Sequence, residues 1–165
     1  MQISGSMRAL TVAFAFLLGA SASRAGLETE WRTFVEPELG TRVDIPAGIF
    51  SVNEGPATKG TGQMFKSDDG RAVLAIYSLR NRDERETPAQ YLKMNFNVPR
   101  ASVDYERVTG RFFAISAVHA GEIYYSRCNF SHNFGGAIHC FDLRYPEREK
   151  HAWDSIVTRI SRSLR

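Results

Sequence analysis

Three residues in the C-terminal half of the chain, Ser126, His139 and Asp142, have the side-chain types of a nucleophile, a base and an orienting carboxylate. They lie in two runs, 122–130 and 137–145, whose alternating polar and apolar residues predict strands. The short segment between the runs contains two adjacent glycines, which favours a hairpin. Successive residues of a strand point to opposite faces, so this hairpin places Ser126 and Asp142 on one face and His139 on the other. The sequence therefore argues against a catalytic triad here.

The face that carries Ser126 and Asp142 also carries Tyr124 and Arg144 in the same predicted register. We expect these four residues to form a polar patch that binds a ligand or is simply solvated. The alternative is a small exported hydrolase that uses the same patch. A closed pocket with shifted pKa values around the patch would favour the hydrolase, whereas an open surface would favour binding.

The two cysteines of the chain, Cys128 and Cys140, lie one in each of these predicted strands. If the hairpin is symmetric about Phe134, the two cysteines face each other at a Cα separation that suits a disulfide. Their spacing is far too wide for the Cys-x-x-Cys motif of redox sites. We therefore expect a structural cross-strand disulfide.

The overall composition is that of a globular protein, with 43% hydrophobic and 24% charged residues. Lys and Arg number 21 against 18 Asp and Glu, and the net charge of +3 is too small for the electrostatic footprint of a nucleic-acid-binding protein. The histidines occur singly, without the short spacings by which one element supplies two metal ligands, so neither a metal nor a cofactor is predicted. The expected partner is an unknown protein or small ligand, and the oligomeric state stays open.

Residues 1–25 are typical of a cleavable secretory signal peptide. Arg8 precedes an apolar run, and small residues follow at Ala22 and Ala25. The apolar run is too short to span a bilayer, so no membrane-spanning segment is predicted. We expect residues 26–165 to form a single domain that is periplasmic or secreted, where thiols tend to pair.

The rest of the chain is predicted to consist of further strands and two helices. The glycine-rich segment 53–62 lacks apolar periodicity and is expected to be a mobile surface loop, either a connector or a lid over a binding site. Two strands preceding the cysteine hairpin complete a four-stranded antiparallel meander. Alternation and turn residues predict the additional strands at 42–45, 64–66, 71–79, 103–108 and 111–118.

Two helices are expected to pack on this sheet. Thr87 and Gln90 form a capping box with Pro88 at the first helical position, which predicts a short helix. After Pro146, apolar residues recur at helical spacing as far as Leu164 and predict an amphipathic helix. The fold class is therefore α+β, an antiparallel sheet packed by a C-terminal helix and a second short helix in a layered sandwich.

The order of the predicted elements has recognisable features. They are Ile45-Pro46-Ala47 at a strand end, the hairpin of 64–79, the helix after Thr87-Pro88-Ala89-Gln90-Tyr91, the meander, and Trp153, Ile156, Ile160 and Ser163-Leu164 in the closing helix. Over roughly residues 31–164, this order resembles that of the exported PsbP-like and DcrB-like domains. Such domains are antiparallel sheets sandwiched by helices and act mostly as accessory or binding modules. The resemblance thus implies a non-enzymatic binding or accessory protein and no catalytic residue.

Overall fold

A computed structural model describes residues 30–81, 86–96, 98–131 and 136–165. The predicted signal peptide and most of the turn between the cysteine strands lie outside these residues. The described part forms two antiparallel sheets and two α-helices, so its fold is α+β. Neither of these helices is long and apolar enough to cross a membrane.

The described strands are β1 (Trp31–Val35), β2 (Arg42–Pro46), β3 (Val52–Pro56), β4 (Thr61–Lys66), β5 (Val73–Arg80), β6 (Val103–Val108), β7 (Phe112–His119), β8 (Glu122–Phe130) and β9 (Ala137–Pro146). They divide into a two-stranded sheet, in which β1 pairs with β2, and a seven-stranded sheet with the order β3-β4-β5-β9-β8-β7-β6. The predicted meander is confirmed as β6 to β9, each strand antiparallel to the next.

The expectation of a loop over 53–62 is wrong for most of that segment. β3 ends at Pro56, β4 begins at Thr61, and the two strands form an antiparallel hairpin with a bulge. The glycines that suggested a loop instead allow a close approach of strands. A Cβ atom at Gly60 or Gly62 would collide with the backbone of β5, so only glycine fits there.

Both predicted helices form. α1 spans Pro88–Asn95, and its capping box is present: the Gln90 amide donates to Thr87 Oγ1 at 3.3 Å, and the Thr87 amide donates to Gln90 Oε1 at 2.9 Å. α2 spans Lys150–Ser163 after a single 3-10 turn, Glu147–Glu149. The capping residues therefore mark the start of α1 as the sequence predicts.

Two clusters of buried side chains lie on opposite faces of the seven-stranded sheet. Alternation along β9 points Phe141 into the cluster that contains Trp153 and Ile160 of α2, and the Trp153 ring stacks on Tyr145 at 4.9 Å. Cys140 points the other way, into the cluster that contains Tyr91 of α1. α2 thus packs against one face of the sheet and α1 against the other.

Candidate functional site

A pocket of about 140 Å³ lies between α1 and the face of β5, β8 and β9 that carries the cysteines. Its volume is well below the roughly 300–1,000 Å³ of pockets that hold drug-sized ligands, so it suits a small molecule or one end of a larger one. Aromatic side chains dominate its wall. The lining includes Lys59, Tyr77, Tyr91, Phe96, Phe113, Tyr124, Ser126 and Asp142.

Three of the four residues predicted to bind a ligand line this pocket. The register of β8 and β9 sets Tyr124 opposite Arg144 and Ser126 opposite Asp142, which confirms that the four share a face. Arg144 does not line the pocket, because its Nη1 pairs with Glu122 Oε1 at 3.0 Å. The Tyr124 hydroxyl also donates to Glu122, at 2.9 Å, so the pocket receives mainly its ring.

The Asp142 carboxylate is the main charged group of the pocket floor. Ser126 Oγ donates to its Oδ1 at 2.6 Å, and the Tyr77 hydroxyl donates to its Oδ2 at 3.1 Å. Desolvation raises the pKa of Asp142, and these hydrogen bonds and the charge of Lys59 offset only part of that rise. Among the described residues, no basic nitrogen lies within ion-pair distance of this carboxylate.

Two tyrosines keep their protons beside Asp142. Burial raises the pKa of Tyr77, and the nearby Asp142 charge raises it further. Burial also raises the pKa of Tyr91 to about 12. Lys59 Nζ lies 5.9 Å from the centroid of the Tyr77 ring, and the Tyr91 ring stacks on Phe113 at 6.1 Å. Ring faces carry negative electrostatic potential, so this wall and the carboxylate both favour a positively charged group.

The predicted disulfide between Cys128 and Cys140 is present, with Cα atoms 4.1 Å apart. Both cysteines are fully buried beside Tyr91 and Phe113. Each lies two residues from a pocket residue, Ser126 in β8 or Asp142 in β9, so the bond holds the floor of the pocket in register. A disulfide fits an oxidising compartment.

The sequence reasoning missed Tyr77 and Lys59. Tyr77 pairs with Cys140 across β5 and β9, strands that are far apart in the chain. Alternation within the β5 segment shows which residues share a face, but it does not identify the neighbouring strand. Lys59 lies between β3 and β4, in the segment considered as a possible lid, and no local pattern singled it out.

His139 lies on the face opposite Ser126, as the predicted register requires. Its Nδ1 is 2.6 Å from Thr41 Oγ1, and its Nε2 is 3.2 Å from Ser131 Oγ. Thr41 in turn contacts Ser78, whose hydroxyl donates to a Glu36 carboxylate oxygen at 3.0 Å. Burial lowers the pKa of His139, although the Glu36 charge acts in the opposite direction. His139 thus belongs to a separate polar network under β1 and β2.

In the part of the chain that the structure describes, no group of three or more His, Cys, Asp or Glu side chains could hold a metal ion.

Comparison with known proteins assigns no family to this chain. No protein-family model matches it, and no curated protein is significantly similar to it in sequence.

Proposed function

We propose that the protein is an exported, non-enzymatic binding or accessory module that holds a small cationic ligand in the pocket of Asp142. The signal-like residues 1–25 and the disulfide support export to the periplasm or beyond. The resemblance to PsbP-like and DcrB-like domains, with residues 26–165 as one layered sandwich, supports a binding role. The ligand class follows from the pocket itself.

The observation that carries this proposal is the state of the Asp142 carboxylate. It sits in a largely aromatic pocket, its pKa is raised, and no basic side chain among the described residues forms an ion pair with it. Desolvating an unpaired carboxylate disfavours folding. A residue that costs stability where a neutral side chain would fit is typical of a binding site.

An ammonium group would satisfy both features of the pocket. Its charge would pair with Asp142, and its alkyl substituents would pack on the rings of Tyr77, Tyr91 and Phe113. The small volume limits the enclosed part of the ligand to a compact head group. The ligand is therefore a small amine or alkylammonium compound, or a larger molecule that ends in such a group.

A matched pair of probes tests the role of charge. We expect tert-butylammonium to bind saturably, with NMR shift changes at Tyr77, Ser126 and Asp142, and the neutral isostere tert-butanol to bind far more weakly. Asp142→Asn should abolish the preference for the cation. Asp68→Asn removes the same charge at an exposed site outside the pocket and should leave binding unchanged. Equal binding of the two probes, or unchanged binding to Asp142→Asn, would overturn the proposal.

The hydrogen bond from Ser126 to Asp142 favours a second candidate function, a small hydrolase with Ser126 as nucleophile and Asp142 as its base. The location of Asp142 in a pocket and its raised pKa are features expected of such a hydrolase. However, no histidine lines the described pocket, and Arg144 is directed to Glu122. A fluorophosphonate probe, which modifies activated serines, distinguishes the two functions. Labelling that Ser126→Ala removes would support the hydrolase, and an unlabelled Ser126 would support binding.

A further inference from the structure

A second concave surface lies on the opposite face of the sheet, between α2 and strands β6 to β8, with a volume of about 530 Å³. This volume falls within the roughly 300–1,000 Å³ of small-molecule sites. Four basic and two acidic side chains line it, namely Arg107, Arg127, Lys150, Arg162, Asp104 and Asp154. Lys150 Nζ lies 3.7 Å from Asp154 Oδ1, so these two charges offset each other and the arginines leave a positive excess.

Arg107 and Arg127 form the centre of this surface. They occupy one row across three strands, because each is paired with Ala114 of the strand between them. Strands are about 4.8 Å apart, so the two backbone positions are about 10 Å apart, and the long side chains reach across the small alanine. Both guanidinium carbons lie over the ring of Phe112, at 5.6 Å for Arg107 and 4.3 Å for Arg127.

The hydrogen bonds of Arg127 go to neutral acceptors. Nε donates to Asn129 Oδ1 at 3.1 Å, and Nη1 donates to Ser161 Oγ at 3.0 Å. Burial lowers the pKa of Arg127, and the charge of Arg107 acts in the same direction. Within the described chain, no carboxylate forms an ion pair with either arginine. Two like charges are thus held together, one of them partly desolvated, without a counter-ion from these residues.

The next row of the same face supplies hydroxyl groups. Tyr105, Ser116 and Tyr125 are paired in register across β6, β7 and β8. The Tyr125 hydroxyl is 3.1 Å from Ser161 Oγ, whereas Tyr105 lines the surface and is 45% exposed. The surface therefore combines a pair of forked cationic donors with an accessible phenol.

We propose that this arginine groove, which Tyr105, Arg107 and Arg127 line, is a binding site for a small oxyanion ligand that carries a phosphate or sulfate group. The guanidinium groups bind two edges of the oxyanion, a geometry that arginine forms readily with tetrahedral anions. The Tyr105 side chain contacts the remainder of the ligand. The site lies on the other face of the sheet from the Asp142 pocket, so it does not depend on the function proposed for that pocket.

The test is a titration of the protein with inorganic phosphate, inorganic sulfate or phenyl phosphate at low ionic strength. Binding of each probe is monitored by NMR. We expect saturable shift changes at Arg107, Arg127 and Tyr105, with phenyl phosphate the tightest of the three probes. Arg107→Gln removes charge-assisted hydrogen bonds from an exposed side chain and should weaken binding about tenfold or more. Arg127→Gln should weaken it as well, and a thermal melt of each variant shows whether it is folded.

The matched control is Arg148→Gln, which removes one exposed charge outside the groove. Unchanged phosphate binding in this control, together with the loss in Arg107→Gln, supports the site. Equal weakening in both variants would mean general charge attraction and would overturn it, as would the absence of saturable binding. Sedimentation with anionic phospholipid vesicles is the last arm: binding to vesicles without binding to soluble phosphate would replace the small ligand with a membrane surface.

Discussion

The two sites on opposite faces of the seven-stranded sheet differ in the sign of the charge that no described ion pair neutralises. Under α1, the Asp142 carboxylate receives hydroxyl donors in an aromatic pocket. Beside α2, the Arg127 guanidinium donates to neutral oxygens, and Arg107 lies close to it. The faces also differ in enclosure, at about 140 Å³ for the pocket and about 530 Å³ for the groove. The proposed cation site and the proposed anion site can therefore coexist on one sheet, because the sheet separates the two charges.

The largest expected effect comes from truncating a buried side chain that packs against Tyr125, a residue that lines the arginine groove. Phe141 is fully buried in β9, and its ring stacks on that of Tyr125 at 5.6 Å. Truncation of a buried phenylalanine leaves a cavity, so we expect Phe141→Ala to lower the free energy of unfolding by about 3–5 kcal/mol in urea denaturation. Val52→Ala, at an exposed edge strand, should change it by about 0.5 kcal/mol or less. Similar losses in the two variants would show that Phe141 does not stabilise the protein as its burial implies.

The second effect concerns the crosslink under α1. The double variant Cys128→Ser, Cys140→Ser should unfold at lower urea concentration, with a loss of about 2–3 kcal/mol, because the closed loop is short and the hairpin is already local. The NMR spectrum should retain its native dispersion. Affinity for an ammonium probe should fall more than affinity for phosphate, since the bond holds the pocket face. Equal losses at both sites would show that the faces are not independent.

The third effect is a gain in stability. Burial holds the pKa of Asp142 above its ordinary value of 3.8 while Ser126, Tyr77, Tyr91 and Lys59 surround it. The folded state therefore binds the proton on Asp142 more tightly than the unfolded state does. The stabilisation that this bound proton provides is fully present below the unfolded pKa of Asp142 and is lost as pH rises through its folded pKa. Asp142→Asn should melt at a higher temperature than the wild type at pH 7, with the difference shrinking near pH 4. A lower melting temperature at pH 7 would show that the carboxylate is well satisfied without a ligand.

The smallest effect has the opposite sign and lies on the other face. Burial holds the pKa of His139 below its ordinary value of 6.5, and Glu36, Thr41 and Ser131 are its polar neighbours. Its contribution to stability is present above the unfolded pKa and is lost as pH falls toward the folded pKa. Wild-type protein should therefore lose more stability between pH 7 and pH 5 than His139→Gln does in thermal melts. Parallel pH profiles for the two proteins would contradict this assignment.

Local patterns predicted the two strands of the cysteine hairpin with high accuracy because alternation, turn glycines and the cysteine pair agree on one register. The same register correctly placed Tyr124, Ser126, Asp142 and Arg144 on one face. The pocket could not be predicted, since it requires β5 to lie beside β9 and α1 to cover both, and nothing local in the chain specifies those contacts. The arginine groove escaped notice for the same reason. Arg107 and Arg127 become neighbours only through Ala114 of a third strand.

The position of β9 in the sheet has a consequence for the order of folding. β9 is the last of the described strands in sequence order, yet it lies between β5 and β8 in the sheet. The three strands of β3 to β5 and the three of β6 to β8 can each form hairpins early, but among the described strands only β9 joins the two groups. The pairing of β5 with β9 is strongly non-local, which slows folding relative to local hairpins. A chain in which β9 has not yet paired therefore lacks the complete sheet, and both proposed sites form only when this strand inserts between β5 and β8.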